Sequence, residues 1–159
     1  MPTKRPAAAV VAVALTAVVA VAVNTGISTL AQAIARGPEF IPITAVAYVP
    51  YTFFGVIAGA MGWAVIRRSL QRPASLLRWL VPVVLLLSFV PDLALYLLTP
   101  VGIVPIAGLM AMHVAVAALS VSVFRRIMPV ADQPLVATPT TSAPPAVAGG
   151  RVTGAPAAE

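Results

Sequence analysis

The chain has 159 residues; 60% are hydrophobic, only 9% are charged, and the formal charge is +6. Soluble domains are roughly half apolar and a quarter charged, and a chain of this length could not cover so much apolar surface in water, so a bilayer is the expected solvent. With no cysteine, disulfides, thiolate catalysis, Cys-ligated zinc and iron–sulfur clusters are excluded.

In chain order, a short basic N-terminus (residues 1–6, with Lys4 and Arg5) leads into four apolar stretches at 7–30, 43–66, 76–98 and 103–124. Each is long enough to cross roughly 30 Å of hydrocarbon as a helix. A spanning segment must satisfy its own backbone, and the polar–apolar alternation of barrel strands is missing. The expected fold is therefore all-α, a four-transmembrane-helix bundle over residues 7–126. After it the composition shifts to Pro, Ala, Thr and Gly without apolar period. Residues 127–159 are expected to form a disordered cytoplasmic tail, since such a segment buries too little surface to offset its ordering entropy.

Basic residues set the direction of threading. Lys4 and Arg5 precede the first stretch, Arg67, Arg68, Arg72 and Arg78 crowd the junction of the second and third, and Arg125 and Arg126 close the fourth. The opposite ends carry Arg36 with Glu39, and the uncharged "TPVG". Both termini are expected in the cytoplasm of a bacterial inner membrane, with Trp63 and Trp79 near the cytoplasmic interface. The positive charge suits contacts to anionic membrane lipid. Nucleic acid is not an expected partner, because no basic face with interleaved aromatics is present. An alternative at the start is a secretory signal, in which "AQA" at 31–33 imitates a cleavage site. The apolar run exceeds the usual length, and cleavage would leave three helices without changing the orientation of the rest.

Ionisable groups inside a span are costly and face the protein interior or a wet cavity. Two lie at depth, Asp92 and His113. In the third stretch Ser88, Asp92, Tyr96 and Thr99 fall on one helical stripe. Pro91 frees the carbonyl of Leu87, which makes a bent, locally polar point. In the first stretch Thr16, Ala20, Asn24 and Ser28 recur every four residues. In the second, Thr44, Tyr48, Thr52, Gly55, Gly59 and Gly62 share a side, with Tyr51 near it, and Pro50 frees the carbonyl of Val46. Gly55 and Gly59 form a small-xxx-small pair, read as helix packing. At a rise of about 1.5 Å per residue, Asp92 lies about 9 Å from the outer end. His113 comes within its reach if Pro105 is the first residue of the fourth helix, as proline prefers.

Asp92 and His113 are thus the expected polar centre between the third and fourth helices. The first reading is structural: a pair that holds two helices together in a non-enzymatic protein. The alternative is a small-molecule or lipid site, or a proton-coupled transport or sensing module, open to the outer side and assembled as a homo-oligomer. There Asn24, Tyr48, Tyr51, Ser88 and Tyr96 would orient the ligand. Another membrane protein is a further partner class. Neither cofactor nor metal is expected, since one histidine and one aspartate fall below the usual ligand count. Ser88 and Ser120 lack a nucleophile-elbow sequence, and Walker or dinucleotide fingerprints are missing.

The segments "SFVPDLALY" and "GLMAMHVAVAAL", followed by "FRR", resemble a family of small uncharacterised actinobacterial membrane proteins. The resemblance covers roughly residues 7–126. It implies four helices in a bacterial inner membrane and no established activity, and it transfers no catalytic residue.

Overall fold

The computed structural model describes residues 4–35 and 40–130. The tail expected over 127–159 lies outside them from residue 131 onward. The described residues form four helices, α1 (Lys4–Ala35), α2 (Ala45–Ser69), α3 (Pro73–Leu98) and α4 (Ile103–Ile127), and a 3-10 turn at Ile41–Ile43. All four are long and apolar enough to cross a membrane. They alternate in direction, so the basic residues of α2, α3 and α4 gather at one end of the bundle, where α1 begins.

Local chemistry accounts for the ends. Pro73 occupies the first turn of α3, where a missing N–H costs nothing. α2 follows extended Thr44, whose hydroxyl donates back to the Ile41 carbonyl at 2.7 Å. α4 follows extended Gly102 and begins at Ile103, so Pro105 is its third residue rather than its first. The first four N–H groups of a helix have no internal partner, so proline is tolerated one turn in. α2 and α3 run unbroken through Pro50, Pro82 and Pro91.

α4 is the hub. It packs most extensively on α1, then on α3, and also touches α2, while α1 packs on α2. The core is in two parts. At the basic end Ala17, Ala20, Val56, Trp63, Leu77 and Phe124 pack together. Toward the opposite end Ala31, Ile43, Tyr48, Ile106, Leu109 and Met112 do. The outer surface is apolar: Val46 is 86% exposed and Leu98 82%. Meanwhile Thr16, Asn24, Ser28, Thr52, Asp92 and Ser120 are buried. Apolar outside with polar groups inside suits lipid as the surrounding medium.

Among the described glycines, Gly108 has the tightest surroundings, and no stripe of small residues marks it in the sequence. A Cβ on Gly108 would meet Ile43 Cδ1 at 2.8 Å and the Ala31 Cβ at 3.0 Å. The glycines read as packing residues behave differently. A Cβ on Gly59 would stand 3.5 Å from the Phe124 ring, and on Gly55 or Gly62 it would meet nothing within 4 Å. Face-sharing within α2 identified a stripe of small residues. It could not tell which side of α2 a neighbouring helix would cover.

Candidate functional site

Asp92 is buried on α3 and faces His113 of α4, with Nδ1 3.2 Å from Oδ2. The same Nδ1 lies 2.9 Å from the Leu109 carbonyl oxygen, one turn earlier on α4. A carbonyl only accepts, so Nδ1 carries the hydrogen in that contact. One N–H does not point at both oxygens. The Leu109 carbonyl takes the hydrogen bond, and Oδ2 of Asp92 is left with a close electrostatic contact and no aligned donor. Phe89, one turn before Asp92, meets the imidazole edge-on at 6.2 Å between centroids. Phe89 and Asp92 therefore hold one imidazole between them from α3. The His113 side chain keeps 38% of its surface exposed against 7% for Asp92, so the pair sits at the edge of the α3–α4 seam.

The other residues of the stripe on α3 do not join the pair. Ser88 donates to the Leu85 carbonyl at 2.7 Å, and Thr99 donates to the Leu95 carbonyl. Both hydroxyls serve their own helix, and the Leu87 carbonyl that Pro91 frees is not the acceptor of Ser88. Tyr96 is 41% exposed on the outer surface.

The residues expected to orient a ligand from α1 and α2 form a separate seam. Asn24 Nδ2 donates to Thr52 Oγ1 at 2.9 Å. Thr25 and Tyr48 share a hydrogen bond of 2.8 Å between hydroxyls. Ser28 donates to the Ile43 carbonyl at 2.6 Å and accepts from Gln32 Nε2 at 2.8 Å. Three successive rungs thus bind α1 to the 3-10 turn and the first half of α2. Asn24 Oδ1 is buried and has no hydrogen-bond partner. Tyr51, read with this group, is 76% exposed and points away from it. The four-residue recurrence in α1 was visible in the sequence. The bond of Thr25 to Tyr48 depends on the crossing of α1 over α2, which no pattern within α1 encodes, whereas Gln32 bonds Ser28 one turn earlier on α1 itself.

At the basic end, Trp63 donates from Nε1 to the Met128 carbonyl at 3.0 Å and packs on Phe124 with ring centroids 5.9 Å apart. Trp79, the other tryptophan expected near this end, is 71% exposed.

Fold and site together define a small all-helical membrane protein with a single intramembrane carboxylate–imidazole pair among its described residues. Residues 1–129 match the family of unknown function DUF6069, and the chain belongs to that family. No curated protein and no solved structure matches the chain.

Proposed function

We propose that this protein is a non-enzymatic, multi-pass component of a bacterial inner membrane, with both termini in the cytoplasm. Its buried polar residues act as connections between helices. The observation that supports this reading is how those residues pair: Asn24 with Thr52 and Tyr48 with Thr25 across α1 and α2, and Asp92 with His113 across α3 and α4. Such bonds are worth about 0.6 kcal/mol on average in a bilayer. They fix which faces meet more than they add to stability. Its partners in this reading are membrane lipids and other membrane proteins.

A second reading draws on two buried acceptors. Asp92 Oδ2 and Asn24 Oδ1 both lack a hydrogen-bond donor, and an unsatisfied acceptor in hydrocarbon is costly. A ligand donor would satisfy either oxygen, and a transferred proton would satisfy that of Asp92. In that case the pair serves a binding or proton-coupled module of a homo-oligomer, open to the outer side.

Native mass spectrometry of the detergent-purified full chain, beside Asp92→Asn and His113→Gln, separates the two. The first reading expects the same species in all three, with the variants only less stable. A discrete small molecule held by the wild type and lost from both variants would overturn it in favour of the second.

A further inference from the structure

Far from the Asp92–His113 pair, at the basic end of the bundle, α2, α3 and α4 leave a recess of about 330 Å³. Its floor is apolar: Trp63 and Leu77 are 4% and 6% exposed. The Trp63 N–H is already engaged by the Met128 carbonyl, so the indole offers the recess a ring rather than a donor. Two cations line the walls, Arg78 from α3 and Arg125 from α4, and Ala74, Pro129 and Val130 complete the lining. Both arginines are exposed.

No carboxylate neutralises these arginines within the described residues, where the sole ion pair is Asp92 with His113. The acidic inventory explains why. Between residues 40 and 130 the chain has one acidic residue, Asp92, and it is bound up near the other end of α3. The recess thus sets two guanidinium groups, which no carboxylate among the described residues neutralises, above an aromatic and aliphatic floor, at the end of a bundle whose sides are apolar. That combination matches an amphiphile with an anionic head. Guanidinium forks suit phosphate oxygens, and the floor suits the glycerol and upper acyl carbons below them.

We propose that this recess is a binding site for an anionic phospholipid of the adjoining leaflet, with its phosphate between Arg78 and Arg125 and its glycerol backbone against Trp63 and Leu77. The site is separate from the polar centre and does not depend on which reading of Asp92 and His113 holds.

The test exposes the full chain to mixed micelles of phosphatidylglycerol and phosphatidylcholine in equal amounts and reads retained lipid by native mass spectrometry. Each arginine that hydrogen-bonds the phosphate directly contributes about fivefold to binding, whereas a charge on the same face without that contact adds only a salt-screened fraction. The variant Arg78→Gln with Arg125→Gln should lose phosphatidylglycerol about 25-fold. The variant Arg67→Gln with Arg68→Gln removes the same charge outside the recess and should retain lipid within about twofold of wild type, since it leaves both recess contacts in place. Asp92→Asn should retain it fully. Equal loss in the two arginine variants would overturn the proposal, because a diffuse positive field would then account for binding. Retention of phosphatidylcholine as readily as phosphatidylglycerol would also overturn it. A separate arm adds inorganic phosphate alone. Phosphate adducts in place of the lipid would reassign the recess to a free anion, which likewise overturns the proposal.

Discussion

His113 and Asp92 stand 3.2 Å apart although they start from different depths. His113 is ten residues beyond the first residue of α4, Ile103, and Asp92 is six before the last residue of α3, Leu98. Along the helices those offsets are about 15 Å and about 9 Å. The gap closes because Cα–Cβ bonds tilt toward the N-terminus of their own helix. α3 and α4 are antiparallel, so the two side chains lean toward each other, His113 outward and Asp92 inward. The His113–Leu109 contact at 2.9 Å records the same backward lean.

A double-mutant cycle with Asp92→Ala and His113→Ala should therefore return a modest coupling energy, about 0.6 kcal/mol and below about 2 kcal/mol. Unfolding in mixed micelles measures it. A coupling indistinguishable from zero would mean that the contact does not tie α3 to α4.

How far the sequence reached is clear from these same residues. Span number and order followed from apolar length alone, because crossing a bilayer needs about 20 apolar residues. The Asp92–His113 encounter was legible too, but by an incomplete route. On sequence alone the depths match only if α4 starts at Pro105. The helix starts at Ile103, and side-chain direction bridges the remaining distance. Depth and polarity group Asn24, Tyr48 and Tyr51 with the pair, and the helical stripe of α3 groups Ser88 and Tyr96 with Asp92. Depth says nothing about azimuth. Asn24 and Tyr48 turn to the α1–α2 seam, Ser88 bonds its own helix, and Tyr51 and Tyr96 face outward. Azimuth is set by which helices become neighbours, and no single-helix pattern encodes that.

Gly108 illustrates the point and carries a second prediction. Its missing side chain lets α4 lie against Ile43 and Ala31. Gly108→Val should push these apart and destabilise the bundle by about 1–3 kcal/mol, as overpacking does. Gly55→Ala and Gly62→Ala place a methyl where nothing lies within 4 Å, and should not destabilise, gaining up to about 1 kcal/mol from helix propensity. Thermal unfolding of the three variants in one detergent compares them directly. A Gly55→Ala cost as large as that of Gly108→Val would restore the small-xxx-small pair of α2 as the packing site.

At the basic end, Trp63 closes α4 over α2. Trp63→Phe keeps an aromatic ring beside Phe124 but removes the donor to the Met128 carbonyl. A buried acceptor then loses its partner, at a cost of about 1 kcal/mol. Trp79→Phe, at a site 71% exposed, should shift stability by less than about 0.5 kcal/mol. Equal shifts from the two substitutions would mean that the Met128 hydrogen bond contributes nothing.

Orientation can be tested with the chain's own lack of cysteine, because any introduced thiol is the only one. Arg67, Arg68, Arg72, Arg78, Arg125 and Arg126 lie toward one end of the bundle, and basic flanks are retained on the cytoplasmic side. Gly37→Cys falls in the sequence between α1 and α2, whose adjoining ends Ala35 and Ala45 lie away from the arginines. Gln71→Cys falls between α2 and α3, beside the arginines. In intact cells a membrane-impermeant maleimide should label the Gly37→Cys protein and leave the Gln71→Cys protein unlabelled until the membrane is opened. The reverse pattern would invert the threading and move the arginine-lined recess to the outer leaflet. Intact mass of the same preparations reports on the first helix. α1 should remain attached, because α4 packs on it more extensively than on any other helix and Ala31 is buried against Gly108. A mass corresponding to cleavage after Ala33 would mean that α4 keeps its place without its largest partner.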